Sequence, residues 1–497
     1  MTVRRSVHKW KSSIRLCKDM IRSLIKDSFI YALSGAVGQL LGILLLPLYT
    51  RIFSVEQYGV LTLLLLSVTI IVTIISMQMY QSVARFYISA RSRKKKQAIV
   101  TTALVYYLFA FGIFCILGSA ISIFLSTLYA CCPSYFDTDL ILIFFVFIFV
   151  NALFLFNVSL FKWRFQSQLM AIFSISNVIL SAALVVISIL YFHLGIAGVF
   201  LGQSLSSTIL NIIMMYLLRQ EFNFHVVSKK TFYVMLAFGA PLVFSALSIY
   251  LMQSIDRFII ERFLGLGAVG IYVVGAKIAG GVALVLSGFQ MAWGPFTYRT
   301  YEKDGANVQF AYILRIVFIL LMGCLLVAGL YSQEAVLLLA SNAFKTASLV
   351  IPFMVLAAIL NSVANYFAVG MYLAKKNILR MYVNFIGLLA NLLLNVILIP
   401  YLGIVGSALA MCLSFFILVL FSLYFSQKLY FVPHQYGGYL LSFIAVVVLM
   451  MLSTFFFGSK ISMIYIGIKF LLVILFFSLC WRLGWLPKSK TVISSKI

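Results

Sequence analysis

Uninterrupted apolar runs of about twenty residues recur from about residue 28 to residue 482, separated by short polar breaks that carry most of the charge. As a helix, each run is long enough to cross a hydrocarbon core of ~30 Å. The runs do not alternate with period two, so helices are predicted. A porin-type barrel, built from ~10-residue alternating strands, is excluded. Fourteen spans are read, at roughly 28–50, 57–80, 98–128, 139–161, 168–191, 196–218, 234–262, 268–290, 309–330, 346–372, 379–400, 403–425, 437–457 and 461–481. The third, seventh and tenth are long enough to tilt or protrude.

The polar breaks repeat. "LYTRIFSVEQYGVL" (48–61) and "IIERFLGLGAVGIY" (259–272) both place an arginine eight residues before a glycine, and both Arg51/Arg262 and Gly59/Gly270 are offset by 211. "YFHLGIAGVFL" (191–201) echoes "PYLGIVGSALA" (400–410), with Gly195/Gly403 and Gly198/Gly406 offset by 208. A period near 210 residues holds six spans. Six is even, so the halves enter the membrane in the same orientation, as parallel repeats about an axis along the membrane normal. The predicted fold is all-α and polytopic: about 14 transmembrane helices in two parallel-repeat six-helix bundles plus two C-terminal helices. The segments are a basic cytoplasmic or interfacial stretch 1–26, an N-terminal lobe 27–220, a C-terminal lobe 231–428, helices 13 and 14 at 436–482, and a basic tail 483–497. In each connector, glycine lets the chain turn and start a helix packed closely on its neighbour.

Composition sharpens this picture. The 497 residues are 64% hydrophobic and only 10% charged, against roughly a quarter charged in soluble proteins. The net charge of +26 raises nucleic-acid binding, but its distribution argues otherwise. With the N-terminus inside, 30 of the 37 Lys and Arg residues fall in cytoplasmic segments. That is the positive-inside bias, and no nucleic acid is needed to explain it. The expected location is the cytoplasmic (inner) membrane, multi-pass, with both termini cytoplasmic. Residues 1–26 lack a cleavage site; Trp10, Ile14, Cys17, Ile21 and Leu24 share one helical face beside a basic one, as on an anionic leaflet. A basic tail that only fixes topology is the simpler alternative. None of the seven cysteines has metal-ligand spacing, and no disulfide framework, metal or cofactor is expected.

Three charges do not sit at membrane edges: Asp256, Arg257 and Lys277. The connector of the seventh and eighth spans centres near 266, so Asp256 and Lys277 lie roughly ~12–15 Å below the outer surface on adjacent helices. A midplane charge costs ~2.5–3.5 kcal/mol and generally faces a bundle interior or a watery cavity. Two readings stay open: an Asp256–Lys277 bridge that fixes packing, or a cavity charge for an anionic ligand or a coupling proton. Arg257 has Glu261 one turn on as an i,i+4 partner. The repeat mates are Leu45, Leu46 and Leu66, so symmetric packing does not require these charges. Lys469, in the last span, snorkels or lines a peripheral groove. Gln39, Gln78, Gln81, Asn151, Asn157, Asn177, Gln203, Gln253, Gln290, Asn361, Asn365, Asn384 and Asn391 either glue helices or line a wet, sugar-compatible cavity.

Catalytic chemistry is hardly represented. Asp137 and Asp139 ("DTD") open the fourth span with no supporting acids, and His8, His193, His225 and His434 are isolated. No phosphate-binding glycine loop is present, so a primary pump is not expected, and with so little catalytic chemistry neither is an enzyme.

The block "DRFIIERFLGLGAVGIYVVGAKIA" (256–279) resembles the central signature of the Wzx-type polysaccharide, or O-antigen, flippases of the multidrug/oligosaccharidyl-lipid/polysaccharide (MOP) exporter superfamily. "LLLPLYTRIFSVEQYGVLTL" (44–63) and "NLLLNVILIPYLGIVGSALA" (391–410) resemble its first connector and its eleventh-to-twelfth hairpin. The resemblance implies two MATE-like six-helix lobes. It also implies translocation of an undecaprenyl-pyrophosphate-linked oligosaccharide, for lipopolysaccharide, capsule or exopolysaccharide assembly. Lys277 and Arg257 would then supply positive potential for the pyrophosphate, Asp256 would orient or neutralise them or couple an ion, and Arg85 would meet the head group first. Implied partners are the lipid bilayer, a polymerase and chain-length regulator of the same pathway, and H+ or Na+.

Two other classes share parts of the pattern. A MATE-type cation antiporter needs deep carboxylates, whereas the sole deep acid, Asp256, neighbours an arginine. A polytopic polymerase or ligase needs a substantial outer loop, and those here are shorter than ~17 residues by the span boundaries.

Overall fold

The computed structural model describes residues 35–128, 138–164, 166–282, 286, 289–290, 293, 296–297, 300–374, 376–434, 436–457 and 463–482. The N-terminal stretch, Cys17, Cys131, Cys132, Asp137 and the basic tail lie outside them. All described elements are helical. They run α1 (Gly35–Ile52), α2 (Val55–Ile75), α3 (Met79–Ser89), α4 (Arg93–Leu128), α5 (Thr138–Trp163), α6 (Ser167–Leu190), α7 (Gly195–Leu218), α8 (Lys229–Leu264) and α9 (Leu266–Ala279). Next come α10 (Ala306–Leu330), α11 (Ser332–Leu339), α12 (Ile351–Phe367), α13 (Val369–Leu373), α14 (Asn377–Leu429), α15 (Tyr436–Phe457) and α16 (Met463–Arg482).

Among the described residues, 12 helices are long and apolar enough to cross a membrane. The described residues of the fourteen predicted spans are nonetheless helical over most of their length. Spans eleven and twelve are both in α14, whose run bends at Gly403 (φ 59°) just after Pro400. The eighth begins as the shorter helix α9. Large apolar side chains point outward along most helices, among them Ile116 and Phe244. That is the pattern of a bundle whose solvent is lipid.

The second echo is visible in the backbone. Gly195 (φ 55°) and Gly403 (φ 59°) occupy the left-handed region at corresponding turns. Three residues on, a Cβ at Gly198 would stand 3.3 Å from Ser188 Cβ, and one at Gly406 would stand 2.4 Å from Leu398 O. Both glycines let a helix start flush against the one before it.

Contacts divide the chain into two units. Unit one holds the described residues up to Leu41 and Ser67–Leu247; unit two holds Gly42–Leu66 and the described residues from Ser248 onward. The first connector therefore groups with the second repeat, a division that cuts across the lobes read by repeat.

Buried amides hold each unit together. In unit one, Asn157 donates to Asn211 Oδ1 (2.9 Å) and Ser206 donates to Asn177 Oδ1 (2.9 Å). In unit two, Ser407 donates to Asn395 Oδ1 (2.8 Å), and Asn395 donates in turn to the Asn391 carbonyl (2.8 Å). With water absent, these groups must be satisfied internally. Unit one also contains a break that sequence did not reveal: Met77 (φ 46°) and Gln78 (φ 49°) are both left-handed between α2 and α3. Gly239 of α8 fits against this break, where a Cβ would stand 2.4 Å from Met77 O, and Ser82 donates to Met235 O (2.7 Å).

Candidate functional site

The two connectors that share a sequence pattern meet each other. In the first, Ser54 and Gln57 cap the start of α2 reciprocally: Ser54 N–H donates to Gln57 Oε1 (3.0 Å) and Gln57 N–H donates to Ser54 Oγ (3.2 Å). In the second, the turn is the single residue Gly265 (φ 81°) between α8 and α9. A Cβ built at Gly59 would stand 2.1 Å from Leu266 O, and one built at Gly270 would stand 2.1 Å from Val55 O. Leu266 is the 211-residue mate of Val55, as Gly270 is of Gly59, so the contact is reciprocal. The glycines are there because backbone meets backbone.

The unusual charges lie beside this crossing, in unit two. Asp256 is almost fully buried (1% exposed). Its carboxylate accepts the Tyr272 hydroxyl and the Arg257 backbone N–H (2.9 Å). Ser407 lies against the same Tyr272 hydroxyl, joining Asp256 to the Asn395–Asn391 network. The Asp256–Lys277 bridge, one of the two readings left open by the sequence, is not formed: the ion pairs among the described residues are Arg164–Glu221 and Lys469–Glu334. The reason is geometric. Tyr272 follows the Gly265 turn closely enough to face Asp256, whereas Lys277 is five residues, about 7.5 Å, further along α9.

Lys277 points instead at aromatic faces. Its Nζ lies 5.4 Å from the Tyr58 ring centroid and 5.7 Å from that of Tyr49. Tyr58 is held edge-on by Phe344, at 5.9 Å between centroids. Arg257 lies within Coulombic range of Lys277 and Tyr58, and its Nε is buried without a hydrogen-bond partner, as is the Tyr58 hydroxyl. The i,i+4 pair with Glu261 is not made. Cation–π contacts are worth ~0.5–2 kcal/mol each and offset part of the ~2.5–3.5 kcal/mol cost of a deep ammonium. They do not neutralise it. One carboxylate, already engaged by a phenol and a backbone N–H, stands beside two cations, leaving an excess positive charge among unpartnered polar groups.

Sequence reading missed Tyr49 and Tyr58, although both lie in the quoted stretch 48–61. Their role depends on the first connector crossing onto the second repeat, which spacing alone does not show. Arg85 is elsewhere. It is exposed on α3 in unit one, its guanidinium 4.4 Å from the Phe238 ring centroid. Near it in sequence, Tyr87 donates to Glu221 (3.2 Å), which pairs with Arg164 at 3.8 Å. Lys469 does not snorkel; it is buried and bound to Glu334. Asp139 sits in the first turn of α5, where an acid suits a helix start. Among the described residues no three His, Cys, Asp or Glu side chains cluster as metal ligands.

Known proteins share this architecture. The lipid II flippase MurJ, in an inward closed conformation, superposes with a TM-score of 0.69 at 15% identity, over 92% of this chain and 99% of that one. An inward-facing multidrug resistance MATE family transporter of the MOP superfamily gives 0.63 at 13% identity, over 80% and 94%. An uncharacterized membrane protein of Haemophilus influenzae is 24% identical over 295 residues, 58% of this chain and 68% of the relative. The profile described as "Polysaccharide biosynthesis protein" matches residues 24–301, more than half of the chain and all of the 256–279 block. With that match, the chain belongs to the polysaccharide biosynthesis protein family.

Proposed function

We propose that this multi-pass membrane protein translocates undecaprenyl-pyrophosphate-linked oligosaccharide repeat units across the cytoplasmic membrane for surface polysaccharide assembly, O-antigen among the candidates. A transporter family and a flippase-like fold support the general reading. The observation that carries the specific one is the pair Lys277 and Arg257, two deep cations with no carboxylate of their own. A diphosphate entering a low-dielectric site needs fixed cations, and these gain more from it than from water.

The mechanism is alternating access of two lobes. The head group enters from the cytoplasm, meeting Arg85 first, while the prenyl tail stays in lipid. The pyrophosphate then lies against Lys277 and Arg257, which Tyr49 and Tyr58 shield from the bilayer. Asp256, held by Tyr272, positions Arg257 through its backbone and serves as the coupling site for H+ or Na+. Rocking of the lobes exposes the head group outside, where a polymerase and its chain-length regulator consume it. Both termini lie in the cytoplasm.

The test is a strain lacking the gene. Lipid-linked repeat units trapped on the cytoplasmic side, with surface polymer lost and both restored by the gene, support translocation. Units that reach the outer side and stay unpolymerised assign the protein to polymerisation instead. Lys277→Ala, inserted at wild-type level, is expected to lower export about tenfold or more, since a charge-assisted contact is worth ~1.5–3 kcal/mol. Wild-type export by that variant removes the cation from the mechanism.

A further inference from the structure

A second polar site lies within unit two, away from Lys277. Gln290, Trp293, Thr297, Asn365, Tyr366 and Arg380 line a cavity of about 370 Å³, at the low end of the ~300–1,000 Å³ typical of small-molecule sites.

Its lining combines aromatic faces with planar hydrogen-bonding groups. Trp293 is 6% exposed, stacked on Phe289 at 5.5 Å, and its indole N–H has no partner. Tyr366 is 3% exposed and edge-on to Phe289 at 4.9 Å. Its hydroxyl lies beside Ser362, whose own proton goes to the Ala358 carbonyl (3.0 Å), and makes no hydrogen bond. Gln290 donates to Ser362 Oγ (3.2 Å) and keeps its carbonyl oxygen. Arg380 donates to Asn365 Oδ1 (3.0 Å) and stacks on Tyr372 at 4.5 Å. It has no ion pair, and the rest of its five donors remain.

Buried donors without partners are costly in a finished core. Here two of them line a cavity together with an unpaired guanidinium and two amides. A sugar ring matches that set: its C–H face lies on aromatic rings while its hydroxyls meet amides, indole N–H and phenol. A flat apolar drug would leave these polar groups unsatisfied, and a bare phosphate would leave the aromatic faces unused. We infer that this cavity is a subsite for one sugar residue of the glycan, with an acidic substituent turned toward Arg380. The inference rests on the translocation reading for the source of the sugar, but the binding event is independent of transport.

The experiment uses the full chain in lipid nanodiscs, since glucoside and maltoside detergents would compete. Saturation-transfer NMR titrations compare methyl β-D-glucuronide with methyl β-D-glucoside. The glucuronide is expected to bind about tenfold more tightly, the value of one charge-assisted hydrogen bond. Arg380→Gln should abolish that preference, and Gln290→Leu and Asn365→Leu should weaken both glycosides. Trp293→Phe keeps the ring, removes the N–H, and should weaken both with little effect on folding. Equal affinity for the two glycosides, wild-type binding by Gln290→Leu and Asn365→Leu, or binding of inorganic phosphate with no glycoside bound overturns the assignment. Failure of the gene-deletion test with these sugar titrations intact would instead remove translocation alone.

Discussion

The reciprocal crossing of α2 and α9 makes an unusual demand on a double mutant. An alanine at Gly59 places its Cβ 2.1 Å from Leu266 O, and an alanine at Gly270 places its own 2.1 Å from Val55 O. An ordinary carbon–oxygen contact is about 3.3 Å, so either substitution must push the helices apart by about 1 Å. Such overpacking costs ~1–3 kcal/mol, against a gain of up to ~1 kcal/mol for alanine in a helix. Each single variant is therefore expected to lose ~1–2 kcal/mol. The same separation relieves both clashes. Gly59→Ala/Gly270→Ala meets one clash with two propensity gains and should be no less stable than either single variant. Gly267→Ala is the control: it lies in the same crossing, its nearest neighbour would be Glu56 Cγ at 3.7 Å, and it should be neutral or stabilising. Apparent melting temperatures of purified protein, taken at one scan rate, read all four. Losses that add in the double variant, or no loss in the singles, would refute a shared backbone contact.

The buried Lys469–Glu334 pair ties α16 to α11. Lys469→Met should cost ~3–5 kcal/mol by stranding the acid, whose Oε2 already lacks a partner, and Lys469→Met/Glu334→Leu should recover most of it; the same melting assay reads both. Tyr272→Phe removes the phenol from buried Asp256 and should destabilise by ~1–3 kcal/mol, whereas Tyr272→Phe/Asp256→Asn should be closer to wild type. His434, between α14 and α15, packs 4.8 Å from Phe367, and burial pushes its imidazole down from 6.5 to about 4. The unfolded chain takes up this proton first, so the contribution to stability is whole above about pH 6.5 and is lost as the pH falls toward 4. Melting at pH 7 and pH 5 should therefore separate wild type from His434→Phe, with the variant less sensitive to acid.

Much of this was legible in one dimension, because a bilayer restricts a chain to few solutions. Twenty apolar residues in a row specify a spanning helix, and two echoes near a 210-residue spacing specify a parallel repeat; α1 to α16 and the paired positive φ angles of Gly195 and Gly403 follow that reading. Distance along the helix was legible too, since it is a count of residues from the Gly265 turn, and it singled out Asp256, Arg257 and Lys277. Direction was not. A side chain's partner depends on which helix lies opposite and at what rotation, and hydropathy does not record either. So Asp256 took Tyr272 instead of Lys277, Lys469 found Glu334 instead of the interface, and Asn157, Asn177 and Asn391 proved to be internal glue while Gln290 and Asn365 line a cavity. The sequence by itself determined a helical, repeated, membrane-spanning chain, because the solvent imposes those features segment by segment. Only the tertiary structure decided that the first connector crosses onto the second, bringing Tyr49 and Tyr58 to Lys277, because that contact joins residues two hundred positions apart through backbone surfaces exposed at two glycines.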